Sequence, residues 1–281
     1  MPLHATVLGR TLSFPAVMGV VNTTPDSFSD GGTLFTDARL NLDRAFDRCA
    51  EMVANGASII DIGGESTRPG AVPISQQEEL DRVIPLVERV SKQLDVALSI
   101  DTSSPSVMTE GAKAGAHIIN DVRALQRPGA VQAAAATELS ICLMHMQGEP
   151  MSMQQSPRYD SVTDEVVQFL QDRLAVCQAA GIPQSRLWID PGFGFGKSLA
   201  HNTQLMRDLR RFIALSHPVL IGVSRKSMIG AITGREVNDR VPGGIAFATW
   251  ALMQGVHVIR THDVAETMDA VSVIKALREE Q

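Results

Sequence analysis

A set of polar residues recurs where apolar segments of this 281-residue chain give way to loops: Asn22, Asp61, Asp101, Asn120 with Asp121, His145, Asp190, Ser224 with Arg225 and Lys226, and Arg260 with His262. Asp101, Asn120 and Asp190 offer acceptors and an amide; Lys226, Arg260 and His262 offer donors and positive charge. Buried carboxylates need donors, because an unpaired buried charge costs several kcal/mol, about the range that forces a partner. A planar heterocycle with N–H groups along one edge would supply them. Arg260 and His262, two residues apart, suit an anion. Each residue also has a local reading, as a helix cap, a loop anchor or, for Arg260, a structural ion pair. For Asp61, Asp121 and His145 the local reading carries at least equal weight.

The elements that position these residues are eight apolar runs: PAVMGVVN, ASIIDIGG, VALSID, AHIINDV, LSICLMHM, RLWIDPG, PVLIGVS and VHVIRTH. They read as continuous hydrophobic stretches, the pattern of strands covered on both faces in a parallel sheet. Helix signals lie between them. Ser75 with Glu78 and Asp263 with Glu266 have capping-box spacing, and Ser104 followed by Pro105 reads as an N-cap with proline at the first helical position. HNTQLMRDLRRFIAL predicts one outer helix with Leu205, Leu209, Phe212 and Ile213 on its buried face and Arg207, Arg210 and Arg211 in solvent. Eight alternations without a linker predict one domain over residues 1–281, a (β/α)8 TIM barrel whose site lies at the C-terminal strand ends. ATVLGRTLSF reads as a hairpin closing the barrel's bottom, or else as a frayed end.

Composition narrows the function. A formal charge of −6 and 4% aromatic residues argue against a nucleic-acid surface. No leader pattern and no apolar run of about 20 residues is found, which predicts a cytoplasmic protein with no membrane partner. Cys49, Cys142 and Cys177 are widely spaced in apolar surroundings and read as buried free thiols. PGFGFGKS lacks the first glycine of a phosphate-binding P-loop, since Pro191 stands there, and Gly192, Gly194 and Gly196 miss the dinucleotide fingerprint by one position. These glycines instead let a loop bend near a ligand held by Asp190. His145 between two methionines has no second histidine at ligand spacing, so it reads as a packed histidine rather than a metal ligand.

The segments MGVVNTTPDSFSDGG, IIDIGGESTRPGA, SIDTSSPSVMTEGAKAGAHIINDV, MHMQGEPMSMQ, DPGFGFGK, GVSRKSMIG and RTHDV resemble, in order, the motifs of bacterial dihydropteroate synthases. Position 23 is Thr where that family more often has Val. The resemblance implies a homodimeric barrel acting in folate synthesis, joining 6-hydroxymethyl-7,8-dihydropterin pyrophosphate to 4-aminobenzoate. By position it implies a pterin pocket of Asp101, Asn120, Asp190 and Lys226, and a pyrophosphate site of Asn22, Thr67, Arg260 and His262. Mg2+ would be bound by Asn22, with Asp30 as a candidate further ligand, and 4-aminobenzoate by Phe28, Thr67, Arg68, Pro69 and Ser227. Catalysis would fall to Arg260, His262, Asp101 and Lys226, with NTTPDSFSDGG as a lid. The intact lid motifs imply sulfonamide binding at the 4-aminobenzoate site. The alternatives are a pterin-barrel methyltransferase and a pterin-binding protein without turnover.

Overall fold

A computed structural model of the chain describes residues 4–24, 35–36, 39–68 and 70–278. All eight apolar runs form strands: β1 Ala16–Asn22, β2 Ile59–Gly63, β3 Ala97–Asp101, β4 Ile118–Asp121, β5 Ser140–Met144, β6 Leu187–Asp190, β7 Leu220–Gly222 and β8 Val258–Thr261. Every neighbouring pair is parallel, in the order β6-β5-β4-β3-β2-β1-β8-β7. A bridge between Ile189 and Val219, with Ile189 N–H donating to Pro218 at 3.0 Å, joins β6 to β7 and closes the barrel.

Successive side chains of a strand point to opposite faces, so each strand feeds two cores. Val17, Ile60, Leu98, Ile119, Ile141, Ile189, Ile221 and Ile259 pack outward beneath the helices. Met18, Ile59, Ala97, Ile118, Cys142, Trp188, Leu220 and Val258 fill the lower lumen. The N-terminal hairpin, His4–Val7 paired antiparallel with Arg10–Ser13, places Val7 and Leu12 in that lumen cluster. It is the expected bottom plug. Leu8 and Gly9 turn it with φ of 43° and 79°, both left-handed, as a two-residue hairpin matching the strand twist requires.

Among the described residues the α-helices are α1 Leu42–Ala54, α2 Gln76–Gln93, α3 Pro105–Ala114, α4 Ala130–Ala135, α5 Val162–Ala179, α6 Leu199–Arg207, α7 Leu209–Ile213, α8 Ser227–Thr233, α9 Val241–Gln254 and α10 Val264–Arg278. Ser75 caps α2 by accepting from Glu78 N–H at 3.2 Å. Ser104 precedes α3 as expected, but its hydroxyl pairs with Ser106 rather than with a helix N–H. The single outer helix predicted after β6 is two helices broken at Asp208. Its carboxylate is drawn to Thr163 of α5 at 2.6 Å and to Gln204 at 2.9 Å. The predicted buried and exposed faces hold across the break.

Candidate active site

The alternation that fills the lower lumen with apolar side chains places a polar layer above it. Two residues beyond Ile59, Ala97, Ile118, Trp188 and Val258 on the same inner face come Asp61, Ser99, Asn120, Asp190 and Arg260. Asn22, Asp101 and His262 lie one step higher, at the mouth. Asp121, one residue out of phase with Asn120, faces away and anchors the next loop. Its carboxylate accepts from the Ser103 hydroxyl and from Arg123 and Leu125 N–H, each of the latter at 2.8 Å.

Arg260 is the centre of the polar layer. Its Nε donates to Asp61 Oδ2 at 2.7 Å and a terminal nitrogen donates to Asp101 Oδ2 at 2.8 Å. Asn120 Nδ2 donates to the same Asp61 oxygen at 3.1 Å. Burial disfavours the Arg260 cation, but Asp61, Asp101 and Asp190 outweigh that and raise its pKa. Asp101 is pushed up to about 7, chiefly by desolvation, with Arg260 opposing and Asp61, Asp121 and Glu79 adding to the rise. One carboxyl of the cluster therefore changes charge near neutrality.

Across the mouth, Asp190 Oδ1 accepts from Gly192 N–H at 2.7 Å, and burial raises its pKa against the pull of Lys226. Lys226 caps α8, donates to the Phe193 carbonyl and stands 4.6 Å from the Phe195 ring centroid. Desolvation lowers its pKa to about 8, with Asp190 opposing. His262 lies just past β8 and shares a hydrogen bond of 3.1 Å with Ser224 through Nδ1. Burial first, then the cations Arg260 and Arg225, lower it to about 3, so at neutral pH it is an uncharged imidazole. Asp263, expected to cap α10, instead binds Arg225 at 2.5 Å and Ser224 at 3.2 Å. The three-dimensional partner outcompetes the cap.

The loop after β6 answers the glycine question in another way. Gly192 and Gly196 have φ of 71° and 60°, and a Cβ on them would lie 1.9 Å from the His145 carbonyl oxygen and 2.3 Å from that of Gln147. They are required by a neighbouring backbone. Lys197 is buried behind this loop and donates to His145 Nδ1 at 2.9 Å and to the carbonyls of Gly192 at 2.9 Å and Phe195 at 3.0 Å. His145 is thus a packed, hydrogen-bonded residue, edge-on to Phe169.

Thr67 and Arg68 lie half-buried in the loop after β2, and Ser227 is exposed at the start of α8. Phe28, Asp30 and Pro69 lie outside the described residues. Thr23, the departure in the first motif, gives its hydroxyl to the Gly63 carbonyl at 3.0 Å, which satisfies it in a buried position. The sequence pattern undervalued Asp61 and Ser224. The signal for Asp61 is inner-face parity; Ser224 is brought to His262 by the register of β7 on β8, with Gly222 opposite Arg260, which no sequence spacing shows. All three cysteines are buried, and Cys142 and Cys177 are free thiols. Among the described residues no helix is long and apolar enough to cross a membrane.

A profile of the pterin binding enzymes matches residues 18–262. The dihydropteroate synthase of Escherichia coli K12 is 50% identical over 276 residues, 98% of this chain and 96% of the relative. Two solved structures superpose closely. The Yersinia pestis dihydropteroate synthase in a sulfonamide drug complex has a TM-score of 0.94 at 51% identity, covering 98% of this chain and 99% of that one. The Xanthomonas albilineans dihydropteroate synthase with 4-aminobenzoic acid has a TM-score of 0.92 at 45% identity, covering all of both chains. A barrel with this mouth, matched end to end at such identity, belongs to the dihydropteroate synthases of the pterin binding enzyme family.

Proposed function

We propose that the polar mouth binds 6-hydroxymethyl-7,8-dihydropterin pyrophosphate and 4-aminobenzoate and joins them as 7,8-dihydropteroate, releasing pyrophosphate. The observation that carries this reading is Arg260, fixed between Asp61 and Asp101 at the layer that also contains Asn120 and Asp190. Its two bonds occupy two of the five guanidinium N–H groups and leave the others for an anion. Asn120 and Asp190 present acceptors to the ring's N–H edge, Asp101 flanks it, and Lys226 donates to its oxo side. Arg260, His262 and Thr67 hold the pyrophosphate. Arg68, Ser227, Phe28 and Pro69 line the place of 4-aminobenzoate.

The bond that breaks joins the pterin CH2 to a pyrophosphate oxygen, and its electron pair leaves with the pyrophosphate. Ionised Asp101 and Asp190 stabilise the cationic carbon that remains. The amine nitrogen of 4-aminobenzoate then forms the new C–N bond and sheds one proton to water. Neutral His262, held by Ser224, lines the pyrophosphate without adding a second positive charge that would repel Arg260. No protein nucleophile takes part.

A half-buried amide at the end of β1 suits a hard cation, and no group of three or more His, Cys, Asp or Glu able to hold a metal ion occurs among the described residues. Mg2+ is commonly held by one or two protein oxygens with substrate phosphates and water completing its shell, so Asn22 would serve as protein ligand, with the Asp30 carboxylate as a candidate second. When bound, Mg2+ would neutralise the leaving pyrophosphate. The exposed apolar residues Trp250 and Met253 of α9 and Val273 and Leu277 of α10 support pairing with a second copy. A cytoplasmic location completes the reading.

The test is pyrophosphate release from the dihydropterin pyrophosphate with and without 4-aminobenzoate, repeated in EDTA and paired with detection of dihydropteroate. Product is expected only with both substrates and Mg2+. Pterin binding without product would move the chain to the binding-protein reading, and turnover undiminished in EDTA would remove the metal from it.

A further inference from the structure

We infer that Asp61 is a positioning residue for the substrate site, using one carboxylate oxygen to orient both the Arg260 guanidinium and the Asn120 amide. Asp61 shares the layer of Asn120, Asp190 and Arg260 but, unlike them, has no exposed surface, its carboxylate lying behind Arg260 and Asn120, so it does not reach a substrate in the mouth. Its Oδ2 nevertheless accepts from Arg260 at 2.7 Å and from Asn120 at 3.1 Å, the residues at the anion and ring ends of the site. The inference rests on the substrate assignment made above and adds to it how that site is held in shape.

The two bonds have separate consequences. Asp61 on Nε and Asp101 on a terminal nitrogen, on different strands, fix the plane of the guanidinium and so the direction of its remaining N–H groups. Asn120 is a two-faced amide. Because its Nδ2 is committed to Asp61, its Oδ1 is the face left for the mouth, and an acceptor is what a ring N–H requires. Without an acceptor at position 61, the amide is free to turn and offer a donor against a donor. Asp61 Oδ1 has no hydrogen-bond partner among the described residues, so both orientations depend on a single atom. The register of β2 against β3 places Ser99 beside Asp61. No other acidic side chain occurs in that layer except Asp190 across the lumen.

The experiment compares wild type, Asp61→Asn and Asp61→Leu, titrated with 6-hydroxymethylpterin, a pterin without phosphate, with thermal unfolding and steady-state kinetics on each. Asparagine keeps an oxygen for both donors; leucine keeps the volume and removes the acceptor. Asp61→Leu is expected to weaken pterin binding at least about tenfold, and Asp61→Asn to stay within about threefold of wild type, a rescue by the conservative variant. A space-filling role predicts the opposite, since an apolar isostere in a buried ion pair is often tolerated. Wild-type pterin affinity in Asp61→Leu, or equal loss in both variants, overturns the inference. If Asp61→Leu does not fold, hydrogen exchange of the Arg260 Nε proton in wild type and Asp61→Asn decides. Slow exchange in both is expected, and solvent-rate exchange in wild type overturns it. Failure of wild type to bind the pterin at all would overturn the substrate assignment, and the inference with it.

Discussion

Arg260→Lys separates charge from geometry at the centre of the site. Arg260 spans two carboxylates on different strands, Asp61 with no exposed side-chain surface and Asp101 with 12%. A lysine ammonium keeps the positive charge but is a point charge that cannot reproduce the planar fork. One charge-assisted bond is lost, which costs about 1.5 to 3 kcal/mol where the acceptor stays buried. Arg260→Ala would leave both carboxylates without their cation at about 3–5 kcal/mol, a large fraction of the roughly 5–15 kcal/mol that holds a domain together, so the lysine variant is the better probe. The loss of activity is larger than the loss of stability suggests. The guanidinium must also meet a pyrophosphate whose charge grows as the C–O bond breaks, and a loss of transition-state stabilisation of about 2.7 kcal/mol is a hundredfold in rate. We therefore expect kcat/KM for the pterin pyrophosphate to fall at least about a hundredfold while urea unfolding stays within about 3 kcal/mol of wild type. The assay is pyrophosphate release at saturating 4-aminobenzoate beside an equilibrium denaturation curve. A rate within threefold of wild type would show that the fork is a structural ion pair, and the anion assignment would fall with it.

Asp190→Ala is expected to cost at least about a hundredfold in kcat/KM, read in the same assay; near-normal turnover would remove it from the pterin edge. The pH dependence follows from Asp101, raised from 3.8 to about 7 by burial with Arg260, Asp61, Asp121 and Glu79 facing it. Between those values the folded state keeps a proton that the unfolded state has lost. Its contribution to stability therefore declines as pH rises from about 4 to about 7. Activity that needs the ionised form rises over the upper part of that window, so kcat/KM should show an acid limb near 7 that Asp101→Asn abolishes. Gly192→Ala would drive a Cβ to 1.9 Å from the His145 oxygen at a left-handed φ, and thermal unfolding should register a loss of at least about 2 kcal/mol. An unchanged midpoint would contradict the close approach. A sulfonamide should raise KM for 4-aminobenzoate without changing kcat; a fall in kcat at constant KM would place it elsewhere.

The barrel was legible because burial on both faces leaves a strand no polar position, and eight continuous apolar runs separated by helix signals have few other solutions. The ring of site residues was legible because each run ends on the first position that solvent or a ligand can reach. What the sequence did not resolve was parity within the strand ends. Asn120 and Asp121 are adjacent and equally polar, yet one faces the lumen and binds Asp61 while the other faces the helices and anchors a loop. Only the register against neighbouring strands separates them, because a shift of one residue exchanges the two faces. Asp61 was undervalued for the same reason: its importance comes from Arg260, 199 residues away. Asp263 and Asp208 show the converse, local signals overridden by a partner brought in by the fold, Arg225 for one and Thr163 for the other. Motifs are therefore most informative where the chemistry lies at the chain's exposed ends of strands, and least where one buried atom serves two residues at once. That division predicts which substitutions will surprise: those of fully buried side chains such as Asp61, which meet no substrate yet decide how the residues beside them are turned.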